Sequence, residues 1–229
     1  MDIDITKNIW YSPCYAIYNF KQLIQQIGVE KAFNKKKGLE AYITGIALLG
    51  VKHYEGRMWW LQVPDEDPPD ILAATMSLNS KQVGVKNIQL VEVYLIEDRK
   101  KESIADTVKR KLKDKVYDPK TSLVGLINRD EAIKDLSDLN KQIEAVKPNI
   151  ASVWIVGNID PLQNNYIVAQ LWPEVKSYKI NIDQECKALS KFGVVLRTHR
   201  SMKRVSASTV KRIRVKREQI PTLIPGGSY

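Results

Sequence analysis

WWLQVPDEDPPDILAATMSLNSKQVGVKNIQLVEVYLIE, residues 59–97, reads as strand, acidic loop, strand, turn, strand. Residues 71–76 (ILAATM) form a short apolar run behind a Pro-Pro breaker, and residues 88–96 (IQLVEVYLI) are rich in β-branched side chains. Both runs are too short for buried helices and are bounded by turn residues, so strands are expected. Alternation in the second run places Ile88, Leu90, Glu92, Tyr94 and Ile96 on one face and Gln89, Val91, Val93 and Leu95 on the other. Glu92 thus shares a face with apolar neighbours. Burying a carboxylate without a partner is costly, so a cation or hydrogen-bond donors should meet it. Asp70 heads the preceding run, and two carboxylates on adjacent strands suit a hard divalent cation.

Downstream, Ser103 can cap a helix over 103–116 whose exposed face carries Lys109, Arg110, Lys111, Lys113 and Lys115. Residues 121–127 (TSLVGLI) are almost wholly apolar, as in a strand covered on both faces. A further helix over 130–146 and an apolar strand at 151–157 follow. Strand, helix, strand, helix, strand from 88 to 157 implies parallel pairing through crossovers. The expected class is α/β, a mixed central β-sheet flanked by helices. More strands are expected at 166–172, 178–182, 193–197 and 211–216, with a short helix over 183–190.

Upstream, a helix over about 14–27 and a second over 36–49 are expected, the latter with Leu39, Ile43, Ile46, Ala47 and Leu49 on one buried face. Glu40 lies beside that face, and the preference of Glu for water reads it as solvated. Trp59 and Trp60 can stack bases, but adjacent aromatics entering an apolar strand read more simply as core.

The chain of 229 residues, 44% hydrophobic, is long enough for a full core. We divide it into an N-terminal helical segment (1–35), an α/β core (36–185) and a basic C-terminal segment (186–229). No apolar run approaches the ~20 residues that span a bilayer, and the N-terminus, MDIDITKNIW, lacks the pattern of a secretory signal. A cytoplasmic protein with no membrane partner is expected. Cys14 and Cys186 lie far apart, with only His53 and His199 as imidazoles, so zinc fingers and Cys/His catalytic pairs are poorly supported and the thiols read most simply as free core or surface residues.

The net charge is +10, and eleven basic residues without one acidic residue lie between Glu185 and Glu218. The rest of the chain is close to neutral. Arg200, Lys203, Arg204, Lys211, Arg212, Arg214, Lys216 and Arg217 therefore read as a nucleic-acid-binding segment, the alternative being a solubilising tail. A subunit docking to acidic protein partners through this segment, and a homodimer, remain compatible with the sequence.

Taken together, Pro69-Asp70, Glu92 in LVEVYL and Glu40 on the preceding helix resemble the PD-(D/E)xK nuclease-like superfamily over residues 36–157. The resemblance implies a restriction endonuclease-like core and a nuclease acting on DNA more than RNA. It also implies Mg²⁺ or Mn²⁺ held by Asp70 and Glu92, with Glu40 assisting and the Val93 carbonyl as a further oxygen ligand. In the family a lysine two residues after the Glu stabilises developing phosphorane charge. That position is Tyr94, which at a reference pKa of about 10 carries no charge at neutral pH. Three readings stay open: the lysine role has moved to Lys109 or Lys113; Tyr94 itself lines a variant catalytic site; or the site is inactive and the fold serves a binding or complex-forming subunit.

Overall fold

The structure is a computed structural model that describes residues 9–65, 68–79, 82–97, 102–131, 133, 135–160, 164–189, 195–198, 212–213 and 215–216. Its elements in order are β1 (Ile9–Tyr11), α1 (Pro13–Ile27), α2 (Val29–Phe33), α3 (Lys36–Glu55), β2 (Trp59–Gln62), β3 (Ile71–Asn79) and β4 (Gln82–Glu97). Then come α4 (Ile104–Asp114), β5 (Thr121–Asn128), α5 (Leu136–Glu144), β6 (Ser152–Asp160), β7 (Asn165–Trp172), β8 (Lys176–Asn181) and α6 (Ile182–Leu189). The short strands β9 (Val195–Thr198), β10 (Arg212–Ile213) and β11 (Val215–Lys216) close the order.

All the strands belong to one mixed sheet in the order β11-β9-β1-β2-β3-β4-β5-β6-β7-β8, with β10 pairing β4. The pairs β4–β5 and β5–β6 are parallel, as the alternation of strands and helices requires, and the other pairs are antiparallel. This is the α/β class expected, a mixed sheet with helices on its faces. Among the described residues no helix is long and apolar enough to cross a membrane.

One face of the sheet is covered chiefly by α3. All residues from Leu39 to Val51 of this helix are buried, so it is apolar around most of its circumference rather than along one stripe. A Cβ on Gly50 would lie 2.5 Å from the Val168 Cβ, so this glycine lets the helix backbone come down onto β7. α1 packs outside α3, begun by Ser12, whose hydroxyl accepts from the Tyr15 amide at 3.2 Å, and by Pro13 in the first turn. The core on this face takes Val91, Ile71 and Ala73 from the sheet. The opposite face is covered by α4 and α5, and its cluster takes Tyr94, Ile96, Leu123 and Ile155. The alternation read in residues 88–96 is thereby realised: Val91 faces α3, while Tyr94 and Ile96 face α4.

Several expectations are corrected. Cys14 and Cys186 are not free; they form a disulfide with Cα atoms 5.4 Å apart across a sequence separation of 172 residues. The fold lays α6 against α1, where Tyr18 also donates to Asp183 at 3.2 Å, and no local spacing could announce that pairing. The helix expected over 130–146 begins only at Leu136, because the Asp135 carboxylate accepts from the Ser137 and Asp138 amides and caps it there. Glu40 is not solvated but 5% exposed. Trp59 and Trp60, by contrast, belong to the core as expected, each 2% exposed. The strand expected at 211–216 is split between β10, which joins β4 (Arg212↔Gly84), and β11, which joins β9 (Lys216↔Arg197).

Candidate carboxylate site

β3 and β4 pair antiparallel up to Ile71↔Val91, and there β3 begins. Beyond this point β4 continues as far as Glu97, paired in parallel with β5 on its other side. Continuing the register by one step sets Asp70 opposite Glu92. At the divergence the Asp70 Oδ2 accepts from the Val93 amide at 2.8 Å. The carboxylate thus serves a half-buried main-chain donor of β4 just beyond the last pair of the β3–β4 ladder.

Cations meet these carboxylates from two sides. Lys36, in the first turn of α3, puts its Nζ 3.5 Å from Glu40 Oε1 and 3.8 Å from Asp70 Oδ1, while the Lys37 Nζ lies 4.0 Å from Glu40 Oε2. Glu40 is nearly buried, so these ammonium groups offset a charge that burial alone would not tolerate. On the other side, Lys115 at the C-terminal end of α4 donates to Glu92 Oε2 at 2.6 Å. Its Nζ also stands 4.9 Å from the ring centroid of Tyr117. The Tyr117 hydroxyl is pushed up to about 12, first by burial and then by the negative charges of Glu92, Asp114 and Asp70. Tyr117 thus lies within the field of both carboxylates.

The residues named from sequence divide accordingly. Glu40 and Asp70 come together through Lys36, and Glu92 lies across from Asp70. Lys109 is drawn elsewhere: its Nζ is 2.7 Å from Asp106 Oδ1 and 3.5 Å from Gln142 Oε1, so it bridges α4 to α5. Tyr94 lies in the core, 5% exposed, in the cluster it shares with Ile104 and Val108 of α4. A Cβ on Gly125, its partner on β5, would meet Tyr94 ring and hydroxyl atoms at 2.5–2.8 Å, so this glycine makes the slot that the ring fills. Burial raises the Tyr94 hydroxyl further above its ordinary value, and Tyr117 adds to this. Of the basic segment, Arg200, Lys203, Arg204, Lys211, Arg214 and Arg217 lie outside the described residues, and Arg212 and Lys216 are described only as backbone in β10 and β11.

Sequence reasoning missed Lys115, Lys36 and Tyr117. Lys115 was grouped with the exposed lysines of a helix expected over 103–116, but α4 stops at Asp114, one residue before it. Nothing distinguished Lys36 from Lys35 and Lys37.

The donor set consists of hard oxygens, yet among the described residues no three His, Cys, Asp or Glu side chains converge into a ligand cluster. Asp70 and Glu92 are two carboxylates at one point of strand divergence, which is as many as Mg²⁺ takes when water and substrate complete its shell. Comparison with protein families, with curated proteins and with solved structures finds no match to this chain.

The buried Tyr94 hydroxyl has no hydrogen-bond partner among the described residues. Removing an unsatisfied buried donor relieves a desolvation cost, so Tyr94→Phe is expected to stabilise the protein by about 1 kcal/mol. For a chain of this length that corresponds to a rise in Tm of about 2–4 °C. A thermal melt checks this, and a lower Tm would mean that the hydroxyl has a partner in solution.

Proposed function

We propose that the protein is a Mg²⁺- or Mn²⁺-dependent phosphodiester hydrolase acting on nucleic acid, DNA in preference to RNA, with a restriction endonuclease-like core. The observation that carries the reading is the Lys115 ammonium on Glu92, at the point where Asp70 stands across from it. A carboxylate pair with an adjacent lysine is the equipment that metal-assisted phosphodiester hydrolysis requires. The order α3 with Glu40, β2, β3 headed by Asp70, β4 with Glu92, α4, β5, α5, β6 supports it further.

In this reading Asp70 and Glu92 would hold the cation, which when bound would supply charge to polarise the scissile phosphate and to acidify a water. The Val93 amide fixes the Asp70 carboxylate in orientation. Lys36, shared between Glu40 and Asp70, keeps two neighbouring negative charges together. Lys115 supplies the positive charge facing the developing phosphorane, the role that neither the buried Tyr94 nor the diverted Lys109 fills.

A second reading is favoured by the same contacts: ammonium groups already balance each carboxylate, as they would in a non-catalytic nucleic-acid-binding or complex-forming subunit. Incubating the pure protein with plasmid, single-stranded DNA and RNA in Mg²⁺ or Mn²⁺ separates the two. The hydrolase reading expects DNA cleavage that falls by about a hundredfold in Lys115→Ala, the scale of losing one charge-stabilising donor. Binding without cleavage establishes the second reading instead.

Affinity is assigned to the C-terminal segment. A chain ending at Thr198 lacks eight basic residues, Arg200 to Arg217. If half of them neutralise duplex phosphates, the slope of log K against log salt should flatten by about three to four units. Binding of both chains to one duplex between about 50 and 200 mM salt measures this, and equal slopes would make the segment a solvated tail.

A further inference from the structure

α4 ends at Asp114, and at the next residue, Lys115, the backbone turns extended (φ −152°, ψ 158°) and carries the side chain off the helix. The side chain is 46% exposed, so left to itself a four-carbon stem would sample many rotamers. Two groups restrict it. Glu92 takes the ammonium at 2.6 Å, and the Tyr117 ring lies under it with the centroid at 4.9 Å. The ring is itself fixed, because the Tyr117 hydroxyl donates at 3.0 Å to the carbonyl of Lys111. That carbonyl belongs to the last turn of α4, where the helix offers no amide of its own. Tyr117 therefore ties the helix end to the lysine that leaves it.

We propose that Tyr117 is a positioning residue for Lys115, its ring holding the ammonium at the carboxylate pair and its hydroxyl holding the ring on the end of α4. The inference rests on the hydrolase reading for its consequence in catalysis, but not for its geometry. It gives Tyr117 a purpose that the nuclease resemblance did not assign, and it explains how a half-exposed lysine beyond a helix can serve where a strand lysine is missing. A neutral ring suits the task. Burial first, and then the neighbouring carboxylates, hold the hydroxyl protonated, so the face under Lys115 stays uncharged through the physiological range.

The test needs a readout that general loosening of the fold would not move. Competitive acylation of lysines, read by mass spectrometry as the ratio of Lys115 to the exposed Lys113 two residues earlier, provides one. Tyr117→Leu is expected to raise that ratio about threefold, the worth of one exposed cation–π contact, while Tyr117→Phe keeps the ring and most of the protection. In the cleavage assay Tyr117→Leu should lower kcat by about the same factor with KM unchanged, and Tyr117→Phe should restore most of it. An unchanged ratio in Tyr117→Leu, or an equal rise at both lysines, overturns the proposal. Should the natural chain cleave nothing, the hydrolase reading fails while the labelling ratio still decides whether Tyr117 holds Lys115.

Discussion

Asparagine in place of Asp70 is expected to lower metal-dependent cleavage by about a hundredfold or more while leaving the melting temperature close to that of the natural chain. The two effects separate because Asp70 does two things. Its Oδ2 accepts from the Val93 amide at 2.8 Å, and its Oδ1 faces Lys36 at 3.8 Å. The asparagine side-chain oxygen still accepts from Val93, so the divergence of β3 from β4 keeps its hydrogen bond. What it loses is the negative charge that would hold a divalent cation. Asp70→Ala removes both and takes the acceptor from the half-buried Val93 amide, so it should lose roughly 1 kcal/mol of stability as well as activity. Measuring cleavage and thermal melts on both variants tests the assignment. Cleavage that survives Asp70→Asn would sink the role of this carboxylate in hydrolysis and point to a contaminating nuclease. A large fall in Tm with asparagine would mean that the charge itself holds the strands.

The fold was legible where burial imposes a period. β4 and β5 are covered by α3 on one face and by α4 and α5 on the other, so their side chains sort strictly by alternation, and residues 88–96 showed that sorting. The parallel ladders followed from helices between strands. By contrast β1, only three residues long, is too short to display any period, and it takes its place in the sheet from pairing with β2 and β9. α3 misled in a different way. Its sequence displays one apolar stripe, but the sheet beneath and α1 outside bury nearly its whole girth, so a Glu beside the stripe ends up inside.

The candidate site was legible in its carboxylates and not in its cations. Asp70 and Glu92 sit at positions set by strand alternation and by a Pro-Pro break, both local features. Which lysine serves them depends on the path of the chain after α4, and that is a tertiary matter. Lys109 and Lys113 lie within the helix, and Lys109 is captured by Asp106 and Gln142. Where the backbone leaves the helix, at Lys115, an ammonium reaches back to Glu92 of β4. Tyr94 was read as a departure from a nuclease motif; its packing against Gly125 shows the positive reason for an aromatic there, since the ring fills a slot over β5.

Breaking the Cys14–Cys186 bridge should have the largest effect on stability of any change away from the carboxylates. Its half-cystines are 172 residues apart, and the chain-entropy model assigns roughly 5 kcal/mol at 25 °C to a loop of that length, within the range of about 2–5 kcal/mol found on removing native bridges. For a chain of this size the corresponding fall in Tm is roughly 5–20 °C. The fold itself should survive. α6 is also held by Lys52 at 2.7 Å and His53 at 2.8 Å from Glu185, and by Tyr18 on Asp183, so the loss acts mainly by freeing the unfolded chain. Melts of the natural protein with and without reductant, beside a Cys14→Ala/Cys186→Ala double variant, measure the effect, and reductant should no longer shift the variant. Thiol titration in denaturant without reductant gives the control: no free thiol is expected. Two free thiols, with the same Tm in all samples, would return both cysteines to the free state read from the sequence. Because disulfides persist chiefly in oxidising surroundings, the same titration on protein taken directly from its cell bears on the cytoplasmic location expected from the sequence. A bridge found intact there argues for an oxidising compartment, whereas a reduced pair leaves the α1–α6 contact to Tyr18 on Asp183 and to apolar packing, while Glu185 ties α6 to α3.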